Sequence, residues 1–217
     1  MFLVRCGPLP VTVLVPVKST SRGKSRLLLP AAARRQVVRA MALDTVAAVS
    51  RVARVVVVAE DPDDLPAFER LAHSRIRTYL TATAGLNEAI RDGLSTVGGG
   101  RVASLPADLP GLRPADLREA LMLAQDLDLA VVADRQGIGT TLLVARRPEF
   151  LVPRYGGESL AAHLASGAVQ LAVPAGSSLR EDVDVPADLS GRVGPRLAVA
   201  LRRTGLIDDG EPADIAS

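Results

Sequence analysis

The sequence predicts an α/β protein, a three-layer α/β/α sandwich around a mostly parallel sheet. Three observations predict it. Apolar, β-branched runs of strand length alternate along the chain with stretches whose apolar residues recur at helical spacing. The connectors between them are short, and strands joined through helical crossovers lie parallel. With 217 residues, 48% hydrophobic and 23% charged, the chain can bury one sizeable core without staples.

In order, 11–17 is a continuous apolar run that reads as a buried strand feeding a loop of Lys, Ser, Thr, Arg and Gly. Pro30 opens a long amphipathic helix from Ala31 to about Val52, with Val37, Val38, Met41, Val46 and Val49 on one side and Arg34, Arg35 and Arg39 on the other. Residues 54–59, with four consecutive valines, form the second strand. Glu60-Asp61-Pro62 then signals a helix reaching His73. A short strand over 76–80 is followed by Gly85 and a helix from Leu86 to about Val97, which the glycines 98–100 break. Residues 101–105 are a strand, and Pro114 starts a helix ending near Leu127. Strands over 129–133 and 141–145 flank the Gly137-Ile138-Gly139 turn. A short helix over 159–165, a strand over 169–173 and a helix over 195–203 complete the pattern, and the polar tail from about 207 is expected to fray.

Composition excludes several classes of function. The apolar runs are too short for a membrane span, and the N-terminus lacks a stretch of signal-peptide length. A lone Cys6 excludes an internal disulfide framework and fits a reducing, cytoplasmic compartment. The net charge is only +2, arginines are scattered, and the five aromatic residues offer no stacking platform, so nucleic acid is not an expected partner. Basic residues divide into 24 Arg and two Lys, and both lysines, Lys18 and Lys24, lie within seven residues of each other. A lysine is a compact point charge that arginine does not replace.

In a parallel sheet, ligands bind beyond the carboxyl ends of the strands, and four polar clusters fall there. The first is KSTSRGKSR, 18–26. Its Gly23-Lys24-Ser25 resembles the end of a P-loop, but Lys18 stands where that motif requires glycine. What remains, Lys18, Arg22, Lys24 and Arg26 among hydroxyls, suits a polyphosphate better than a merely solvated loop. The second is PADLP, in which Asp108 either caps a turn or binds a metal. In the third, EDVDVPADL, Asp182 and Asp184 face one side of an extended segment, where their repulsion calls for a cation; oxygen ligands suit Mg²⁺, and Asp188 reads as a cap. The fourth pairs Gly137-Ile138-Gly139-Thr140 with Tyr155-Gly156-Gly157-Glu158-Ser159. It suits either an anion held by backbone N–H groups or an ordinary hairpin turn and helix start. His73 and His163 are too few for a His-based metal site and read as surface helix residues.

Taken together and in order, VPVKSTSRGKSRL, GLNEAI, PADLPGL, ADRQGIGTTLL, RYGGES with His163 downstream, and EDVDVPADL resemble the CofC/FbiD family of guanylyltransferases, and most closely its actinobacterial branch, which uses phosphoenolpyruvate. The resemblance runs from about residue 11 to 204, so we expect one nucleotidyltransferase domain over 1–217. It implies the MobA-like, nucleotide-diphospho-sugar transferase fold and transfer of GMP from GTP to phosphoenolpyruvate in biosynthesis of the deazaflavin coenzyme F-420. By that likeness Asp108 and Asp182 hold Mg²⁺; Asp184, on the same side of its segment as Asp182, is expected either to be an additional ligand or to support one from behind. Thr140, Gly156 and Ser159 contact phosphoenolpyruvate, Lys18 and Lys24 lie near the nucleotide phosphates, and Gly85, Leu86 and Asn87 lie near the nucleoside; Arg26, from its place in the same basic loop, is expected to join the two lysines. Ile138 stands where relatives often carry Thr. An acceptor of 2-phospho-L-lactate, or a non-catalytic nucleotide-binding or anion-binding module on the same fold, are the rival readings; hand-over of product to a following enzyme and the oligomeric state are not legible.

Overall fold

The computed structural model describes residues 10–20, 24, 27–71 and 73–207. Its elements are β1 (Val11–Val17), α1 (Ala31–Ser50), β2 (Arg54–Ala59), α2 (Leu65–Glu69), β3 (Ile76–Leu80), α3 (Leu86–Leu94), β4 (Arg101–Ser104), α4 (Pro114–Leu123), β5 (Leu129–Ala133), β6 (Thr140–Ala145), α5 (Ser159–Ala165), β7 (Val169–Gln170) and α6 (Pro195–Arg203), with 3-10 turns at Pro62–Asp64, Pro148–Phe150, Ser178–Arg180 and Pro186–Ser190. Among the described residues the sheet has seven strands in the order β3-β2-β1-β4-β6-β5-β7. Only β6 runs against its neighbours, so the expected mostly parallel sheet is borne out.

The central strands are apolar throughout because both of their faces are covered. Val13, Val15 and Val17 of β1 meet Val46 and Val49 of α1 and Leu117 and Leu121 of α4 on one face. Leu14, Val58, Val131 and Leu143 meet Ile90 of α3 and Leu160 of α5 on the other. Outside the first layer, α6 lays Leu197 and Leu201 against Val37 and Met41 of α1. No helix among the described residues is long and apolar enough to cross a membrane.

Strand order reverses between β1 and β4: the chain leaves β1 toward β2 and returns on the other side. That switch point opens a crevice beyond the strand ends. Pro16 fits here for a specific reason. Leu14 accepts the Leu105 N–H, so even-numbered residues of β1 turn their polar backbone toward β4, whose pairing stops at Ser104 opposite Leu14. The N–H that Pro16 lacks would have pointed where no strand remains to receive it.

Helix ends are earlier than the sequence suggests. Helices α1, α2, α3 and α4 stop at Ser50, Glu69, Leu94 and Leu123 rather than near Val52, His73, Val97 and Leu127. In each case a tight turn follows, with i→i+3 bonds from the N–H of Val52 to Val49, Leu71 to Phe68, Val97 to Leu94 and Leu127 to Ala124. Apolar spacing continues through such turns although the α-helix does not. β7 is two residues long instead of five, because after Leu171 donates to Val131 the chain turns, Val173 donating back to Leu171.

Candidate active site

The crevice at the switch point is a cleft of about 350 Å³, walled by Lys18 at the end of β1, Lys24, Leu86, Asp108 beyond β4 and Asp184, with Met41 of α1 in its lining. Lys18 is exposed to it. Ser19 and Thr20, next in the chain, are buried and tied to acids that follow β2. The Ser19 hydroxyl donates to Asp61 at 2.8 Å and the Thr20 hydroxyl to Asp64 at 2.8 Å. Arg39 of α1 donates to the same Asp64 at 2.7 Å. Glu60 accepts the Ser19 N–H at 3.4 Å on one oxygen and the Gly85 N–H at 3.1 Å on the other, joining the basic loop to the start of α3. Gly85 needs its positive φ of 105° there, and a Cβ would fall 2.6 Å from Glu88. Sequence reasoning took Glu60-Asp61-Pro62 as a helix start, which Asp61 serves by accepting the Asp63 N–H. The tethering of the basic loop by the same acids has no local signature. Arg22 and Arg26 lie outside the described residues.

Lys24, at φ 52°, places its ammonium between two carboxylates, 2.7 Å from Asp108 and hydrogen-bonded also to Asp184. Burial alone would lower its pKa, but the two carboxylates outweigh burial and hold it above the ordinary lysine value. Asp182 is brought to the same corner by the backbone, since the Val183 N–H donates to the Asp108 carbonyl at 3.0 Å. Burial, followed by the charges of Asp108 and Asp184, pushes the Asp182 carboxyl up to about 7. Asp188 caps the following turn as expected, accepting the N–H groups of Asp184 and Val185 at 2.8 and 2.9 Å.

Asp108 Oδ1 is buried without a hydrogen-bond partner, an unusual state for a carboxylate oxygen. An unpartnered oxygen on Asp108 beside a carboxyl as disfavoured in its charged form as Asp182 is a donor set that fits a hard divalent cation. Asp184, 54% exposed in its side chain, is held by Lys24. Among the described residues no three His, Cys, Asp or Glu side chains surround one point. Mg²⁺ requires only one or two protein carboxylates when phosphates and water complete its shell.

The Thr140, Gly156 and Ser159 group is organised by a residue read differently from sequence. His163 is fully buried rather than on the surface, because α5 turns it inward between β6 and the stretch before Gly156. Its Nδ1 lies 3.0 Å from Thr140 Oγ1, and its Nε2 accepts the Arg154 N–H at 2.9 Å. Burial, aided by the Arg154 charge, holds its pKa down at about 4. Tyr155 packs its ring edge-on to the imidazole, with centroids 5.2 Å apart, and its hydroxyl meets Ser104 Oγ at 2.7 Å. Asn87 directs both ends of its amide to the Tyr155 backbone, at 2.8 and 2.9 Å. Ser159 is buried at the start of α5. Gly156 has open space where a side chain would be. The hairpin reading of the glycine turn holds: Asp134 accepts the N–H groups of Ile138 and Gly139 at 2.9 and 2.8 Å.

The family model described as "Guanylyl transferase CofC like" matches residues 11–189. Phosphoenolpyruvate guanylyltransferase from Sanguibacter keddieii is 42% identical over 93% of this chain and 88% of its own. The enzyme of that name from Salinispora arenicola is 43% identical over 87% of this chain and 92% of its own. Among solved structures, a nucleotide-diphospho-sugar transferase from Desulfovibrio desulfuricans aligns over 83% of this chain and 84% of its own with a TM-score of 0.62 at 18% identity. A nucleotidyl transferase from Methanothermobacter aligns over 83% and 94% with a TM-score of 0.55 at 18% identity. These neighbours share the fold expected from sequence. Since the matched segment begins at β1 and carries the lysine-bearing loop, the Asp108 turn and the extended Asp182 segment together, the chain belongs to the CofC-like guanylyl transferase family.

Proposed function

We propose that this chain transfers GMP from GTP to phosphoenolpyruvate, forming enolpyruvyl-diphospho-5'-guanosine and pyrophosphate, as a step in the biosynthesis of coenzyme F-420. The observation that carries the reading is the lysine-and-carboxylate crevice at the β1/β4 switch point, in a chain more than 40% identical to enzymes of that name. An oxygen of the acceptor phosphate attacks the α-phosphorus of GTP as the bond to the β-phosphate oxygen breaks. The acceptor is already mostly dianionic at neutral pH, its second pKa being about 6, so no protein base is required. Catalysis then lies in positioning and charge.

Lys18 and Lys24 bind the triphosphate and stabilise the departing pyrophosphate. Lys24 reaches that task by leaving Asp108 and Asp184, an exchange of one set of anionic partners for another. Asp108 and Asp182 would hold Mg²⁺, with Asp184 a third candidate, and the ion when bound supplies charge neutralisation among the phosphates. Gly85 and Leu86 border the nucleoside, while Asn87 acts by fixing the Tyr155 backbone. Thr140, Gly156 and Ser159 receive the acceptor. A cytoplasmic location suits the single cysteine, and the product passes to the next enzyme of the pathway.

A pyrophosphate-release assay with GTP and Mg²⁺, run in parallel with phosphoenolpyruvate, 2-phospho-L-lactate and 3-phosphoglycerate, tests the reading. Release with phosphoenolpyruvate is expected to exceed that with the other two. Preference for 2-phospho-L-lactate would reassign the acceptor, and GTP binding without release from any acceptor would make the chain a binding module.

A further inference from the structure

We propose that His163 is a positioning residue for the acceptor, donating a hydrogen bond that makes the Thr140 hydroxyl a donor toward substrate. The inference rests on the assignment of Thr140 to the acceptor phosphate above. His163 Nε2 accepts the Arg154 backbone N–H, so that nitrogen carries no proton. A neutral imidazole has one N–H, which must then sit on Nδ1, 3.0 Å from Thr140 Oγ1. The ring donates and the hydroxyl accepts, with the Ser159 backbone carbonyl one turn back a second neighbour of the same ring. The Thr140 proton is thereby turned away from His163, and it has no protein acceptor among the described residues. Thr140 is 6% exposed, so this is a nearly buried hydroxyl with a donor still to satisfy, a good match for an anionic oxygen.

A β-bulge delivers Thr140 to this ring. The β5–β6 register pairs Val132 with Leu142 and then Ala133 with Thr140, leaving Thr141 out. Strict alternation would place Thr140 on the face of Leu142 and Val144; the extra residue moves it to the face of Leu143, where α5 lies. The same imidazole holds the other wall. Through the Arg154 N–H, and with the Tyr155 ring against its face and Asn87 on the Tyr155 backbone, it fixes the stretch that leads into Gly156. One ring thus sets the separation between two parts of the acceptor site. A histidine that only filled space would not need both nitrogens committed in this way.

The test separates the two nitrogens. His163→Gln brings a carbonyl oxygen to the Nε2 position but no donor to Thr140, whereas His163→Asn brings an amide N–H to the Nδ1 position. Steady-state pyrophosphate release should show His163→Gln raising KM for phosphoenolpyruvate about tenfold with KM for GTP unchanged, the loss of roughly one hydrogen bond to an anion. His163→Asn keeps the donor to Thr140 but loses the acceptor for the Arg154 N–H, and should raise KM for phosphoenolpyruvate less than His163→Gln does. In a Thr140→Val background the His163→Gln effect should vanish. Equal shifts in both KM values, no shift, or multiplying effects in the double variant would overturn the proposal. Nitrogen NMR of the labelled imidazole in the parent protein guards against misfolded variants: a proton on Nδ1 and a resonance that moves when phosphoenolpyruvate is added are expected, and a proton on Nε2 contradicts it. An inactive parent protein would instead remove the acceptor assignment, and the inference with it.

Discussion

Lys24 shows how much a single residue has to reconcile. Its left-handed backbone costs about 1 kcal/mol for a residue with a Cβ, and the conformation sets its ammonium between Asp108 and Asp184. Without Lys24, GTP loses a phosphate partner, and Lys24→Ala should raise KM for GTP about tenfold, measured at saturating acceptor. Unchanged GTP dependence would take the basic loop out of the site. Asp108→Ala and Asp182→Ala should each lower kcat/KM by at least about 10²-fold. The melting temperature of Asp108→Ala should fall by only a few degrees, since a partly exposed ion pair is worth about 1 kcal/mol or less, and that of Asp182→Ala should not fall, because the fold disfavours the charge on this carboxyl. His163 adds a pH dependence whose sign follows from its environment. Its folded pKa, about 4, lies below the ordinary 6.5, so the fold favours the neutral ring. That contribution to stability is complete above pH 6.5 and is lost as pH falls toward 4. Melting curves between pH 7 and 4 should therefore show the parent protein losing stability faster than His163→Gln; parallel curves would contradict the buried, neutral ring.

The elements that matter most are joined by single polar residues. Asp44 of α1 accepts the first N–H groups of α6, those of Arg196 at 3.2 Å and Leu197 at 2.8 Å, and the Arg196 guanidinium at 3.1 Å. Gly194 allows the close approach, since a Cβ there would lie 2.3 Å from the Asp44 carboxylate. Asp44→Ala leaves those helix-end donors without a partner and should cost about 2–3 kcal/mol, read as a melting temperature lower by about 5–10 °C. Asp44→Asn, which keeps an acceptor, should lose less. In the β5–β6 hairpin, Gly139→Ala would drive a Cβ to 2.4 Å from the Asp134 carboxylate, so the turn that precedes Thr140 would have to shift. A raised KM for phosphoenolpyruvate is expected, and an unaltered one would separate the turn from the site. Apolar periodicity revealed every strand and helix in this framework, because a two-sided sheet demands continuous apolar runs and an amphipathic helix demands a stripe. It did not reveal the helix ends, where 3-10 turns continue the same spacing, nor the Asp44 cap, which joins residues about 150 positions apart.

The whole molecule converges on one feature, the reversal of strand order between β1 and β4 that leaves a crevice at the strand ends. The sequence could place Lys18, Lys24, Asp108, Asp182 and Asp184 near such a crevice because each follows an apolar run and parallel sheets bind ligands at one end. It could not show that Lys24 pairs with Asp108 and Asp184, that Asn87 is committed to Tyr155, or that His163 is interior. Those facts depend on the approach of elements distant in the chain, and for His163 on a bulge that one skipped residue creates. Attack at the α-phosphorus of GTP in that crevice is the central step, and the fate of labelled phosphate tests it most directly. With GTP radiolabelled at the α-phosphorus, Mg²⁺ and phosphoenolpyruvate, the label should enter a new diphosphate product, while label at the γ-phosphorus should leave as pyrophosphate. Release of the γ label as orthophosphate, or an α label that stays in GTP or appears only as GMP, would contradict it.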